Sequence, residues 1–444
     1  MNVFLLRAIR IVIRADSDPV RQALFANLRQ SRLPVRLVFG LHELLGRTPA
    51  SGLLVSLYGL AFLVSIAPPR KRHARILTVA RHANARRQVA RVVSWLGPDA
   101  CDSVETRLRA GFITDVVSAL RRTPGRLKPA TTLKALRIIR WTDRVHGFLV
   151  ACRVAGALAW YVRSIAILGA CRPQAVLVSS DSNPEELAFT AAARAVSLPT
   201  VFMSHSYPTP FSPPLDYSLS ILGGDAEVQA RREKGPIKGE LLLVGLEGDS
   251  APLDARHFAA PDPVIGIFTP KAVSWPTLAA VISDCRQRFG ARQILIRWHP
   301  SMLERPHLGD WLADRSGVVE TPREAALVDV ARHCNWVIAY ENSGVHLPVL
   351  KLGIPTIAVK NLGLYPESRS DMYGFVRHGV IPPPVSSLGD LHPDALAEFF
   401  ADGWAARFQE YDASYLRPQH LIAAAVRDAI RRLCDHVASR TSFG

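Results

Sequence analysis

Several features that would assign a protein to a known class at once are missing from these 444 residues. The six cysteines are scattered without a CxxC pair, which excludes the common zinc modules and is typical of reduced thiols in a cytoplasmic protein. No internal repeat or low-complexity tract is present. A chain of this length exceeds one compact core, so two domains with an appendage are expected.

Acidic residues are scarce in the first third of the chain. Residues 1–150 hold 26 Lys and Arg against 8 Asp and Glu, whereas residues 151–444 hold 28 against 30. Neither a groove-reading motif nor a basic stripe interleaved with aromatic residues accompanies this charge, which argues against a nucleic-acid partner. Apolar segments alternate with the basic ones instead, and this pattern favours a membrane surface rich in anionic lipid.

No clear membrane span is encoded near the N-terminus. The uncharged run at residues 52–67 has 16 residues, fewer than the roughly 20 that a span needs, and a short span, a re-entrant segment and a core helix stay open. Residues 3–13 are apolar except at Arg7 and Arg10, with Arg14 following, which predicts an interfacial amphipathic helix rather than a signal peptide. We therefore expect residues 1–75 to attach the protein, as a peripheral or monotopic component, to the cytoplasmic face of the inner membrane.

Buried strands followed by polar tips come next. Each is a short apolar run of the kind that parallel sheets bury on both faces. Asp181 follows the second run, and Asn183 to Glu186 predict a helix start with Asn183 as N-cap and Glu186 closing a capping box. His205 follows the third run. These strands are predicted at residues 76–80, 175–180 and 200–203.

A second group of strands follows a polar, proline-containing segment at residues 248–263 that is typical of a linker. Lys271 lies at the tip of the strand predicted at 264–268. Arg297 and His299 stand at the end of the next strand.

The strand predicted at residues 336–339 ends in a turn of small and polar residues, among them Asn342, Ser343 and Gly344. The segment after it, residues 345–352, has helical spacing and Gly353 as a stop signal. Free N–H groups and the positive end of a helix dipole at such a turn favour phosphate.

Ligands of open α/β sheets sit at the carboxyl ends of the strands, so His299 and Ser343 are expected to share one cleft. The alternative is that His299 merely caps a strand and Ser343 merely caps a helix.

The pair His299-Pro300 after a strand, the pair Ser343-Gly344 at a helix start and the run at 350–356 together resemble the donor half of GT-B glycosyltransferases that build bacterial surface polysaccharides. Sialyl-, Kdo- and CDP-glycerol transferases share that arrangement. A strand-end His205, a strand beginning Asp216-Tyr217, a helix and a Val-Gly strand end extend the resemblance over roughly residues 175–360.

The resemblance implies an α/β protein of the GT-B fold, with two Rossmann-like domains facing a cleft. The basic extension covers residues 1–75 and the acceptor-side domain 76–250. The nucleotide-donor domain covers 262–410, and residues 411–444 contribute a C-terminal helix that packs back on the first domain.

The implied reaction moves a sugar from a nucleotide-activated donor to a lipid-linked or polysaccharide acceptor, in capsule, lipopolysaccharide or exopolysaccharide synthesis. By resemblance, His299 and Ser343 hold the donor phosphate. The chemistry of imidazole suits His205 for the general base, with Asp181 as the second candidate. The expected donor-binding set is Lys271, Arg297, His299, Glu341, Asn342, Ser343 and Gly344.

Glu341 has two interpretations: a hydrogen bond to a ribose or base, or a salt bridge to Arg297. No carboxylate pair of the DxD type stands at a suitable strand end, so the reaction is expected to need no metal and no cofactor beyond the nucleotide sugar.

Three other functions stay open. Polyol-phosphate transfer and nucleotide-sugar 2-epimerisation use the same fold, although a membrane-suited N-terminus disfavours the epimerase. A catalytically silent scaffold at the membrane is the third, and the presence of His205, His299 and Ser343 weighs against it.

Overall fold

The computed structural model describes residues 2–17, 55, 56, 59, 66–67, 74–97, 99–106, 129–209, 211–300, 302, 308–364, 371–401 and 403–441. The chain divides into two compact units. The first unit comprises Met1–Leu222, Gln229–Leu242 and Ala423–Gly444. The second unit comprises Gly223–Val228 and Leu243–Ile422.

The first unit is an α/β unit built on a six-stranded sheet. The helices in its part of the chain are α1 (Val3–Asp16), α2 (Ala83–Leu96), α3 (Pro129–His146), α4 (Phe148–Cys171), α5 (Pro184–Ala195) and α6 (Asp225–Arg232), the last running across the boundary between the units. The strands are β1 (Ile66–Ala67), β2 (Ile76–Val79), β3 (Cys101–Ser103), β4 (Glu105–Thr106), β5 (Ala175–Val178), β6 (Thr200–Met203), β7 (Asp216–Leu222) and β8 (Lys238–Leu243).

The strand order of this sheet is β3-β2-β5-β6-β7-β8, and the pairings from β3 to β7 are parallel. Strands β2, β5 and β6 are buried along their whole length, as their continuous apolar runs predict. Since β2 is the first strand of this sheet along the chain and lies between β3 and β5, the winding of the sheet reverses there. Such a reversal leaves a crevice at the carboxyl ends of the strands.

Helix α4 forms the centre of the helical layer. By length and composition it is the one described helix that could cross a membrane, but most of its side chains are buried inside the protein. Ala151, Ala155 and Leu158 pack in one cluster with residues of α1, α3 and α5. Small side chains allow this close approach, and α4 therefore acts as a core helix of the first unit.

Helix α1 does not offer its apolar face to lipid, contrary to the interfacial helix that its pattern predicts. Leu5, Ile9 and Val12 are buried in the cluster around α4. Arg7 pairs with Asp216, with 2.5 Å between Nη1 and Oδ2. The apolar stripe therefore serves the core of the protein. Most of the run at 52–67, and the basic residues at 70–73, lie outside the described residues.

The second unit is also α/β, and its sheet has the order β11-β10-β9-β12-β13 with every pairing parallel. Its strands are β9 (Val264–Phe268), β10 (Gln293–Arg297), β11 (Val318–Glu320), β12 (Trp336–Tyr340) and β13 (Thr356–Val359). Its helices are α7 (Trp275–Gln287), α8 (Leu308–Trp311), α9 (Leu327–Ala331), α10 (His346–Lys351), α11 (Pro393–Phe399), α12 (Trp404–Tyr411) and the start of α13 (Gln419–Thr441).

Strand β9 comes first in this unit and lies at the centre of the sheet, with β10 on one side and β12 on the other. The winding reverses at β9, so the carboxyl ends of β9, β10 and β12 frame the crevice. The prediction of two Rossmann-like units, each with a parallel sheet and helices, is confirmed.

The end of the chain belongs to the first unit from Ala423 onward. Arg432 of α13 pairs with Glu240 of β8, with 2.6 Å between Nη2 and Oε1. Both side chains are largely exposed, so this ion pair adds little stability. The apolar side of α13, including Val426 and Ile430, is buried and holds the helix in place.

Candidate functional site

The ends of β9 and β10 are joined by a short hydrogen-bond network that positions His299. Thr269 follows β9, and its backbone N–H donates to the carbonyl oxygen of Arg297 over 3.0 Å. The hydroxyl oxygen of Thr269 accepts from the backbone N–H of His299 over 3.1 Å. His299 is therefore fixed to the neighbouring strand end, beyond what its own strand provides.

Three basic side chains converge at this point. Burial lowers the pKa of His299, and the positive charges of Lys271 and Arg297 lower it further. Arg297 lies over the ring of Phe268, with 5.8 Å from Cζ to the ring centroid, and Nη2 donates to the carbonyl oxygen of Ala325 over 3.3 Å. The imidazole is therefore held neutral beside two cations, and an anion binding here would relieve their mutual repulsion.

The turn after β12 brings backbone groups to the same edge of the sheet. The N–H of Ser343 donates to the carbonyl oxygen of Tyr340 over 2.9 Å, and the hydroxyl of Ser343 accepts from the N–H of Val345 over 3.4 Å. A Cβ placed on Gly344 meets no atom within 4 Å. The turn therefore leaves open space above Gly344.

Asn342 has a second role that the sequence did not indicate. Its side-chain oxygen accepts from the N–H of Met372 over 2.7 Å. The carboxylate of Asp371 accepts from the N–H groups of Val376 and Arg377 over 3.0 and 2.8 Å. Asn342 thus holds the segment beginning at 371 against the carboxyl end of β12.

His346 connects the turn after β12 to the sheet. It is fully buried, its Nδ1 lies 2.9 Å from the hydroxyl of Thr356, and its Nε2 lies 3.1 Å from the carbonyl oxygen of Tyr340. Burial lowers the pKa of His346 to about 4, so the ring is neutral. It acts as a positioning residue for the turn. Helix α10, which it opens, runs from His346 to Lys351 and is shorter than the predicted 345–352.

The turn and the basic cluster lie close enough for one ligand. Strand β9 pairs with both β10 and β12, and neighbouring strands are about 4.8 Å apart. The ends of β10 and β12 are therefore about 10 Å apart, and His299 and Ser343 follow these two strand ends at the same edge of the sheet. The sheet order brings together the donor-binding residues predicted from the sequence, Lys271, Arg297, His299, Glu341, Asn342, Ser343 and Gly344, at one carboxyl edge.

The first unit places His205 at the carboxyl end of β6. Its Nδ1 lies in hydrogen-bond contact with the carbonyl oxygen of Ser179. A carbonyl oxygen can only accept, so Nδ1 carries a proton, and the tautomer that fits this contact has its lone pair on Nε2. This tautomer is the one a general base requires.

The surroundings of Asp181 do not suit the role of second candidate base that its sequence position predicts. It is buried and forms an ion pair with Arg231, which is itself buried and lies over the ring of Phe202. Burial opposes ionisation, but the charge and hydrogen bond of Arg231, with a smaller contribution from His205, hold the pKa of Asp181 below its usual value. A carboxylate already committed to a guanidinium is a poor base, and its position near His205 suits it to stabilise an imidazolium.

The predicted capping box at the start of α5 is wrong in its partners. Asn183 is the N-cap residue, but its side chain makes no capping hydrogen bond. The hydroxyl of Ser180 accepts from the N–H of Asn183 over 3.2 Å. Glu186 accepts from the backbone N–H of Arg81 over 2.9 Å instead. Burial and the neighbouring Glu185 raise the pKa of Glu186 to about 8 despite this bond, so Glu186 is largely protonated at neutral pH.

A cavity of about 690 Å³ opens at the strand reversal of the first unit, between α2 and the ends of β2 and β3. Its wall combines apolar and charged side chains, among them Arg81, Arg86, Val93, Asp102 and Trp160. The indole N–H of Trp160 is buried and has no hydrogen-bond partner among the described residues. The volume is that of a small-molecule site.

Two parallel sheets, each reversing its winding beside a charged crevice, define a two-unit α/β protein with Rossmann-like halves. No family model and no curated protein matches the chain. Among solved structures it is similar to a co-structure of S. aureus MnaA with UDP, with 10% identity, a TM-score of 0.46, and coverage of 81% of this chain and 96% of that one.

It is also similar to CalG4, the calicheamicin glycosyltransferase, with 13% identity, a TM-score of 0.48, and coverage of 83% and 100%. MurG of Acinetobacter baumannii has 13% identity, a TM-score of 0.44, and coverage of 81% and 99%. At these TM-scores the similarity assigns no activity to this chain, and the function has to be argued from its own residues.

Proposed function

We propose that the protein is a glycosyltransferase that moves a sugar from a nucleotide-activated donor to a hydroxyl of a lipid-linked or polysaccharide acceptor. The observation that carries the proposal is the cluster of Lys271, Arg297 and His299 at the strand reversal of the second unit. Two cations beside a neutral imidazole, at the edge where α/β sheets bind ligands, suit a diphosphate.

The donor half of the reaction follows from this cluster. As the glycosidic bond to the nucleotide breaks, negative charge grows on the leaving phosphate, and preorganised cations and N–H groups stabilise it. Lys271 and Arg297 supply the charge, while His299 and the turn at Ser343 supply hydrogen bonds. The predicted independence from metal is part of the proposal, because these groups perform the charge neutralisation that a metal would otherwise supply.

The acceptor half follows from His205. Its Nε2 takes the proton of the acceptor hydroxyl as the new bond to the sugar forms, and the ring becomes an imidazolium. Asp181 stabilises that charge. The cavity beside β2 and β3 supports transfer over 2-epimerisation, because an epimerase needs no room for an acceptor. We place the reaction in capsule, lipopolysaccharide or exopolysaccharide synthesis at the cytoplasmic face of the inner membrane.

Titration calorimetry with UDP, CDP and CMP tests the donor site. We expect one of them to bind, and His299→Ala to weaken it by about 5- to 150-fold through loss of a hydrogen bond to phosphate. Equal affinity of the wild type and the variant for each nucleotide would remove the cluster from the donor site. Consumption of a nucleotide sugar without an acceptor would favour the epimerase.

A further inference from the structure

Helix α3 exposes a face on which large apolar and basic side chains alternate. At 3.6 residues per turn, eight exposed positions of α3 fall within an arc of about 180°. The apolar members, between 37% and 57% exposed, are Leu133, Leu136, Trp141 and Val145. The basic members are Lys134, Arg137, Arg140 and Arg144.

The opposite face fixes the orientation of the helix. Ile139 and Thr142 are buried, and Ala135 and Ile138 pack against the cluster around α4. The core contacts of the opposite face therefore hold the alternating face outward.

The outer edge of α1 continues this face. Leu6, Arg10, Arg14, Ile138 and Trp141 line one groove of about 430 Å³ between the two helices. The buried stripe of α1 belongs to the core, so what α1 contributes outward is a further basic edge with Leu6.

The chemistry of this face selects its partner. Burial of the four large apolar side chains away from water is favourable. The highly charged surface of a nucleic acid does not provide an apolar environment for them. A second copy of the chain would place cations against cations. An interface of anionic phospholipid headgroups and acyl chains matches both sets at once, since cations lie at the headgroups while apolar side chains enter the acyl boundary. We propose that the exposed face of α3, with the outer edge of α1, docks on a membrane surface rich in anionic lipid.

This inference is independent of the proposed reaction. It assigns to α3 and the outer edge of α1 the membrane contact that the sequence analysis expected from residues 1–75, and it puts acyl-chain contact on α3 and not on the buried stripe of α1.

Cosedimentation of the full-length protein with vesicles tests the proposal. We expect binding to vesicles of equal parts phosphatidylglycerol and phosphatidylcholine, and little binding to phosphatidylcholine alone. Each cation near an anionic surface contributes about fivefold to partition, so the triple variant Arg137→Gln, Arg140→Gln, Arg144→Gln should partition on the order of 100-fold more weakly. Trp141→Ala should also weaken binding to the vesicles. Raising the salt concentration should not restore the binding of this variant.

A charge-matched control separates this face from the overall positive charge. The variant Arg87→Gln, Arg232→Gln, Arg431→Gln removes three exposed cations from helices α2, α6 and α13 and should partition nearly as the wild type does. An equal loss in both triple variants, or no loss in the α3 variant, would overturn the proposal. A dimer in light scattering that the α3 variant dissociates would also overturn the proposal. The exposed face of α3 would then join two copies of the chain. Unchanged thermal unfolding of both variants verifies that they are folded.

Discussion

Replacing Lys271 by Gln tests the electrostatic coupling on which the donor site depends. Lys271 is exposed, so the change leaves packing intact and removes one of the two cations that hold down the pKa of His299. Burial, the larger cause of that shift, and Arg297 remain. The pKa of His299 should therefore rise part of the way toward its usual value, which NMR titration of the ring proton measures.

The same variant should bind a nucleoside diphosphate more weakly. A hydrogen bond to a charged group contributes about 1.5 to 3 kcal/mol, so the loss of Lys271 should weaken affinity by about 10- to 150-fold. Arg292→Gln is the matched control. This exposed cation precedes β10, at the opposite edge of the same sheet, and its removal should change neither quantity.

Binding should also be linked to protons, with a definite sign. In the free protein the pKa of His299 is lowered, and a bound phosphate dianion opposes the charges of Lys271 and Arg297, so the pKa rises on binding. Affinity should therefore increase as pH falls through the bound-state pKa and level off below the free-state pKa. Calorimetry in buffers of different ionisation enthalpy measures the proton uptake. A wild type that takes up no proton, with a His299 pKa unchanged in Lys271→Gln, would refute the clustering of the three groups.

Three further predictions address other parts of the site. Gly344→Ala should leave stability unchanged or slightly higher, because the added Cβ meets no atom within 4 Å, yet it should weaken nucleotide binding by filling the space above the turn; Gly169→Ala, equally open, should not affect binding. Glu186→Gln should remove a loss of stability that the wild type shows in chemical denaturation as pH rises from 4.5 to about 8, worth at most about 5 kcal/mol; parallel pH profiles of the two proteins would contradict the raised pKa. His205→Ala should reduce turnover by about 10²- to 10⁴-fold with nucleotide affinity retained, and a variant with near-normal turnover would exclude His205 as the base.

The sequence predicted the strands and their ends well, and the reason is physical. Residues 175–178 and 294–296 are continuous apolar runs, which only a sheet covered on both sides buries. Because the polar tips of such strands are visible in the amino-acid sequence, the sequence alone places Lys271, Arg297 and His299 at one edge of the sheet.

What the sequence could not predict are partners that come from far along the chain. Glu186 fits a local capping box, but its carboxylate accepts from the backbone N–H of Arg81, 105 residues earlier. Asp181 lies in a plausible position for a base until Arg231, 50 residues later, closes on it. A local motif cannot show which distant donor competes for its oxygen atoms.

The amphipathic pattern of helix α1 likewise does not show what covers its apolar stripe. A stripe of Leu5, Ile9 and Val12 suits a lipid surface and a protein core equally, since both exclude water. What decides is the neighbouring helix α4, whose small residues allow α1 to pack closely. On α3 the distinction is visible only in the structure, because exposure of Trp141 cannot be inferred from its spacing.

The sheets of both units reverse their winding, but the charges of the side chains at the two reversals differ. In the second unit, Lys271 and Arg297 accumulate positive charge around a neutral His299, an arrangement whose repulsion an anion relieves. In the first unit, Arg231 is neutralised by Asp181, and the nearby imidazole of His205 keeps Nε2 as an acceptor. A site for a neutral hydroxyl that must lose a proton requires such charge balance, because an excess of cations there would disfavour the imidazolium that the base becomes and would attract the donor phosphate to the wrong unit. The division of charge between the two sheets is therefore the one that the proposed transfer between two substrates requires.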